Sequence, residues 1–141
     1  MNDDFFDVNL EPIFTPRMID KSVTIAVLKD LRESVKEQMK LLGSQGWRFY
    51  PVTQTRGRCY FRDKVITLPS WALKREMIYR QWYVCHEMAH AFAGLKAKHG
   101  PEFMAELKRI CPEESLHFEI EYKPRNAIAA GIRDKFDLDM L

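Results

Sequence analysis

Apolar residues recur at helical spacing in the first part of the chain. From a capping residue at Asp20 or Ser22, the pattern predicts one helix that ends at Gly43. Its buried stripe consists of Leu28, Leu31, Val35, Met39 and Leu42. A β-like run follows over 47–55, and residues 57–68 have the pattern of a hairpin. The polar residues Arg62-Asp63-Lys64 suit the turn of that hairpin.

The second part of the chain has two further helical patterns and one alternating pattern. Residues 76–93 and a stretch from Pro101 to Pro112 predict helices, because apolar residues recur every three or four positions. Apolar and polar residues alternate over 116–122, which predicts a half-buried strand. We therefore expect a single α+β domain over 1–141, with an extended arm over 1–20 and a tail over 124–141. The apolar residues Phe5, Phe6, Ile13 and Phe14 are expected to anchor the arm.

Composition and charge indicate the compartment of this protein and the class of partner that it could bind. The chain has no basic-then-apolar leader and no run long enough to span a bilayer, so we expect a cytoplasmic protein without a membrane partner. Three separated cysteines (Cys59, Cys85 and Cys111) argue for packing rather than a disulfide framework. Residues 48–109 include twelve lysines and arginines but five acidic residues. That excess favours a polyanion or an acidic substrate, although a solvated mixed surface would have the same composition.

The chemistry is concentrated in one pentapeptide, His86-Glu87-Met88-Ala89-His90. On a helix, residues four apart lie roughly 6 Å along the axis and about 40° around it, so His86 and His90 can bind one zinc ion together. Glu87 is placed to act as a general base beside that metal. Histidines on a helix surface without a metal are the simpler alternative. The pattern predicts a hydrolase, most simply a peptidase.

A catalytic zinc usually has three protein ligands, and we expect His99 to be the third. An unbroken helix would place His99 about 13 Å from His90 on the opposite face, so the helix must end first, at Gly94. The competing carboxylates are Glu102, Glu113 and Glu114. The alternative with a histidine six positions after His90 is excluded, because that position is Lys96. The fourth histidine, His117, falls in the predicted strand and is read as a surface or edge residue.

Beyond the pentapeptide, the chain resembles the SprT-like family of zinc metallopeptidases, which includes the Spartan-type proteases of DNA–protein crosslinks. Three blocks carry this resemblance: the segment from Arg56 to Cys59 with the strand Val65 to Leu68, the pentapeptide, and His99-Gly100-Pro101-Glu102-Phe103. The resemblance implies a compact zincin fold, one catalytic zinc on His86, His90 and His99, and Glu87 as general base.

The resemblance also implies action on DNA-associated proteins. Many members carry a four-cysteine zinc ribbon after the catalytic core, and this sequence has no Cys-x-x-Cys pair. DNA binding would then depend on Arg56, Arg58, Arg62 and Lys64. Tyr83 and Tyr122 are the candidates for stabilising a developing oxyanion. Two other functions stay open: a metal-dependent nuclease with three histidine ligands, and a catalytically silent accessory protein that binds nucleic acid or a partner.

Overall fold

The computed structural model describes residues 12–132 of the chain. The strands are β1 (Arg48–Val52), β2 (Arg58–Tyr60) and β3 (Val65–Pro69). The helices are α1 (Glu33–Ser44), α2 (Ser70–Leu73), α3 (Met77–Ala93), α4 (Pro101–Ile110), α5 (Glu113–Tyr122) and α6 (Pro124–Ala129). Short 3₁₀ segments lie at Pro16–Met18, Ile25–Asp30 and Leu95–Ala97. The α+β class predicted from the sequence is confirmed.

The strands form a mixed sheet in the order β1-β3-β2. β3 pairs in parallel with β1 and antiparallel with β2, so the predicted hairpin is confirmed. Every residue of β3 is buried, as expected for a central strand covered on both faces. β2 therefore forms one edge of the sheet, and α3 packs against it.

The core is built around α3, which the sequence pattern located closely. This helix packs against α4 and α5 through fully buried side chains, among them Met88, Phe103 and Leu107. Burying side chains of this size stabilises a domain by about 1.5–3 kcal/mol each. Pro101 begins α4, as predicted, because a proline in the first turn loses no helical hydrogen bond.

The prediction of one continuous helix from Asp20 or Ser22 to Gly43 is wrong. The segment divides into the 3₁₀ turn Ile25–Asp30 and α1, with an extended backbone at Leu31 and Arg32 between them. The Arg32 backbone N–H donates to Oε1 of the buried Gln81 at 3.0 Å. This long-range hydrogen bond replaces a helical one. The buried stripe itself is correct, since Leu28, Leu31, Val35 and Leu42 are buried and Met39 packs against them.

The strand predicted over 116–122 is also wrong, because these residues belong to α5. The alternating apolar positions include two pairs four residues apart, 116 with 120 and 118 with 122, and such pairs share a helix face equally well. Glu113 and Glu114 lie in the first turn, where acidic side chains are favoured by the helix dipole. Packing of Leu116 and Ile120 against the core then stabilises the helix over the strand.

The two ends of the chain are only partly described. In the predicted arm, Phe14 stacks on Tyr50 with ring centroids 5.3 Å apart, whereas Ile13 is exposed and is not the expected anchor. The anchors expected at Phe5 and Phe6, and the tail from 133 onward, lie outside the described residues. Across 12–132, none of the helices combines the length and the apolar character that crossing a bilayer requires.

Gly57 occupies a position in which no side chain fits. A Cβ there would lie 2.6 Å from the Thr67 carbonyl oxygen and 2.8 Å from Cε1 of Tyr83. Because the first contact is with backbone, we expect Gly57→Ala to lower the free energy of unfolding by about 1–3 kcal/mol, measured by urea titration. Gly43→Ala is the matched control: a Cβ at Gly43 meets nothing within 4 Å, and alanine there should raise stability by about 0.5–1 kcal/mol. An unchanged or higher stability of Gly57→Ala would contradict this packing.

Candidate metal centre

The end of α3 determines where His99 lies. The helix stops at Gly94, which has a φ of 98° and whose N–H donates to the His90 carbonyl oxygen at 2.9 Å. Glycine adopts this left-handed conformation without the strain that a Cβ would cause. A 3₁₀ turn and Lys98, also at positive φ, then reverse the chain, so that His99 comes directly before α4. The predicted break at Gly94 is confirmed.

This reversal brings the three histidines together. Nε2 of His99 lies 3.2 Å from Nε2 of His90 and 3.2 Å from Nε2 of His86. One ligand atom from each imidazole lies within 4.8 Å of those of the other two. Three nitrogens that converge in this way can form a metal site.

A buried carboxylate orients the first of these histidines. Oε1 of Glu119, on α5, lies 2.7 Å from Nδ1 of His86 and accepts a 2.9 Å hydrogen bond from Nε1 of Trp82. With Nδ1 facing a carboxylate, the proton of the neutral imidazole belongs on Nδ1, and the Nε2 lone pair is left for a ligand. Glu119 is fully buried, and its Oε2 has no hydrogen-bond partner among the described residues.

The local environment favours neutral imidazoles at the other two positions. Burial, together with the neighbouring histidines, lowers the pKa of His90 to about 3. Burial and His86 likewise lower the pKa of His99 to about 4. For His86, burial alone would lower the pKa, but the hydrogen bond to Glu119 and its charge outweigh burial and raise it. Neutral imidazole is the form that binds metals.

These observations fit a zinc ion. Zn–N bonds of about 2.0–2.1 Å in tetrahedral geometry separate the ligand nitrogens by about 3.3 Å, close to the 3.2 Å found here. A dication would also compensate the buried charge of Glu119. Three histidines leave the fourth position of such a site open, which is typical of catalytic rather than structural zinc.

The competing ligands predicted from the sequence lie elsewhere. Glu114 forms a bidentate pair with Arg32 and also accepts from Gln81. Glu113 and Glu102 are exposed, and neither belongs to the candidate metal cluster within residues 12–132. The His117 ring packs against that of Phe118 at a tilt of 37°, with centroids 4.0 Å apart, and His117 is half-buried. We therefore keep His99 as the third candidate ligand.

A cleft of about 560 Å³ opens onto the three histidines and Glu87. Glu87 is buried, and burial raises its pKa to about 7. The predicted oxyanion candidates both line the cleft but differ in their surroundings. The hydroxyl of Tyr83 accepts the Gly57 N–H at 2.9 Å, whereas the exposed Tyr122 ring packs 5.1 Å from His86 and 5.8 Å from His99. Tyr122 is therefore the better placed of the two.

The predicted basic residues divide into two groups. Arg56 and Arg58 are exposed and line the cleft. Lys64 lies in the hairpin turn and donates to the Gln45 carbonyl oxygen, and Arg62 lies in the same turn. The cysteines are free, as expected from their spacing: Cys85 and Cys111 are buried in the core, and Cys59 lies half-buried at the wall of the cleft.

Sequence reasoning missed two residues that support the centre. Glu119 was hidden because the strand interpretation assigned it to a solvated polar face. In a helix, Glu119 shares a face with Ser115, four residues earlier, and both are buried in the structure; the four-residue spacing alone does not indicate that this polar face is turned inward. Asn126 on α6 donates from Nδ2 to the His99 carbonyl oxygen at 2.9 Å and so holds the backbone at His99 in place. Nothing in the sequence around Asn126 indicates that contact.

The candidate ligands and much of the cleft wall come from different segments of the chain. The three histidines and Glu119 lie within residues 86–119, whereas much of the cleft wall comes from residues 55–83. In a comparison with protein families, the model of the SprT-like family matches residues 26–123. Comparisons with curated proteins and with solved structures give no significant match.

Proposed function

Since the chain belongs to the SprT-like family, we propose that it is a zinc-dependent metallopeptidase that hydrolyses peptide bonds. The observation that carries this proposal is the convergence of three histidine Nε2 atoms beside a buried glutamate in an open cleft. His86, His90 and His99 would hold the zinc ion. When bound, zinc would supply a Lewis acid that polarises a carbonyl and lowers the pKa of water toward neutrality.

Glu87 performs the proton transfers in this proposal. Its carboxylate accepts a proton from the attacking water and then donates that proton to the nitrogen of the leaving amine. A carboxyl group whose pKa is raised by burial is suited to both steps near neutral pH. Tyr122 donates a hydrogen bond from its hydroxyl to the oxygen that becomes negatively charged, because its ring packs against two of the three histidines.

DNA-associated proteins are the substrates that we propose, with DNA as a second partner. Arg56 and Arg58 support this proposal, since two exposed guanidinium groups at the cleft can contact phosphates. Arg62 and Lys64 extend the basic surface along the hairpin turn.

A metal-removal experiment tests the activity. Protein stripped with a chelator should lose cleavage of denatured casein, and one equivalent of zinc should restore it; assays with and without single-stranded DNA then measure stimulation. Zinc-dependent degradation of single-stranded RNA or DNA, with casein intact, would instead support a nuclease. Zinc-independent binding of nucleic acid without turnover of either substrate would support a silent accessory protein.

Glu119 gives a more local test. Glu119→Gln keeps the size of the side chain but removes the charge that faces His86 Nδ1. We expect zinc affinity to fall by about 10–100-fold, measured by competition with a fluorescent chelator. Glu121→Gln, at an exposed position of the same helix, is the matched control and should bind zinc as the unmodified protein does. Equal affinities for both variants would remove Glu119 from the centre.

A further inference from the structure

Exposed apolar side chains are concentrated at the cleft. Within residues 12–132, the large hydrophobic residues that remain exposed are Ile13, Leu41, Trp71, Leu95 and Tyr122. Three of these five, Trp71, Leu95 and Tyr122, line the cleft that contains Glu87 and the histidines. Exposed apolar surface gathered at one concave site marks a place where something apolar binds.

Trp71 is exposed and yet held in place. The side chain is 44% exposed, and its Nε1 donates to the Thr55 carbonyl oxygen at 2.9 Å. Its ring contacts those of Tyr79 and Tyr83, each with centroids 6.1 Å away. Tyr83 is itself fixed by the Gly57 N–H. A ring whose polar atom is already bonded within the protein offers a ligand apolar contact at little cost in conformational entropy.

We propose that Trp71, Tyr79 and Tyr83, here called the aromatic wall, form the specificity subsite of the enzyme. The subsite binds a large apolar or aromatic side chain of the substrate protein, at a residue that borders the scissile bond. This inference rests on the proposed peptidase function, because the wall lines the same cleft as Glu87 and the three histidines.

Charge and position decide between the possible occupants. Glu87 is the one acidic residue among those that line the cleft in the described part of the chain, whereas Arg56, Arg58 and Lys98 are cationic. A lysine or arginine of the substrate would therefore be repelled, and phenylalanine, tyrosine or leucine would be preferred. A stacked nucleobase would compete with the peptide for the cleft that contains Glu87. We therefore assign the wall to protein side chains, with nucleic acid as an outcome of the test.

Mapping of cleaved bonds tests the subsite. In a digest of denatured casein analysed by mass spectrometry, we expect phenylalanine, tyrosine and leucine to be enriched at one position next to the cut. Trp71→Ala should remove this enrichment and lower kcat/KM on the best-cleaved peptide by about 10–100-fold. For the same peptide with glycine at that position, Trp71→Ala should change kcat/KM by less than about twofold. Leu41→Ala, an equally exposed apolar residue outside the cleft, is the matched control and should leave both values unchanged. An unaltered cleavage profile in Trp71→Ala, or a preference for lysine, would overturn the assignment.

A binding measurement separates failure of the subsite from failure of the peptidase. The Glu87→Gln variant should bind a fluorescein-labelled phenylalanine peptide about tenfold more tightly than its glycine counterpart, and adding Trp71→Ala should abolish the difference. Cleavage without any residue preference would reject the subsite alone. Preferential binding without cleavage by the unmodified protein would reject the peptidase and keep the subsite. If Trp71→Ala instead weakens binding of a labelled oligothymidine and not of the peptide, the wall is a stacking surface for nucleic acid and the proposal is wrong.

Discussion

Glu87→Gln is expected to abolish peptide hydrolysis while the zinc content of the protein stays the same. Glutamine preserves the size of the side chain but can neither take a proton from water nor return one to a leaving amine. Loss of a general base lowers turnover by about 10²–10⁴-fold, so residual cleavage should fall to the background of most assays. Because the candidate ligands are the three histidine Nε2 atoms, the substitution should leave metal binding intact.

The measurement pairs initial rates on a fluorogenic casein with metal analysis of the same samples. Glu37→Gln, at an exposed position of α1 that does not line the cleft, is the control for a lost carboxylate and should retain full activity. Undiminished proteolysis by Glu87→Gln would remove Glu87 from the chemistry. Loss of zinc together with activity would instead place this carboxylate among the ligands.

His99→Ala is expected to remove the metal. Only two of the three candidate ligands would remain, so zinc affinity should fall by more than the roughly 10–100-fold expected for Glu119→Gln. Metal analysis after dialysis should then give much less than one zinc per chain, and casein cleavage should be lost. The physical reason is the position of His99 Nε2, 3.2 Å from both of the other imidazoles.

The fourth histidine provides the control for that experiment. His117→Ala removes an imidazole that packs against Phe118 and does not belong to the histidine cluster, so the zinc content should be unchanged. Full zinc retention by His99→Ala would transfer the third ligand to a carboxylate. Glu102, in the first turn of the helix that follows His99, would then be examined first.

The sequence predicted the structure best where short-range geometry determines the backbone conformation. The spacing of His86 and His90 defined one helix face, and Gly94 provided the conformation that ends the helix, so the return of His99 followed from short-range geometry. Leu31 and Arg32 did not follow such rules. Their extended backbone depends on the hydrogen bond to Gln81, 49 positions later in the chain, which no local pattern reveals.

The wrong strand at 116–122 had the larger consequence for the site. Alternating and helical patterns overlap over seven residues, and only packing against α3 distinguishes them. In a strand, Glu119 would point to solvent; in α5, it points to Trp82 and His86. One wrong element therefore concealed the carboxylate that orients a candidate ligand.

The division of the site between two segments has an evolutionary consequence. The three candidate zinc ligands and Glu119 lie in one contiguous stretch, residues 86–119, whose helices contact one another directly. Trp71, Tyr79, Arg56 and Arg58 lie upstream of that stretch. Under the proposed function, mutations in the upstream segment would change which proteins enter the cleft, while the candidate ligands stay the same. A lineage could in this way acquire new targets without passing through an inactive ancestor.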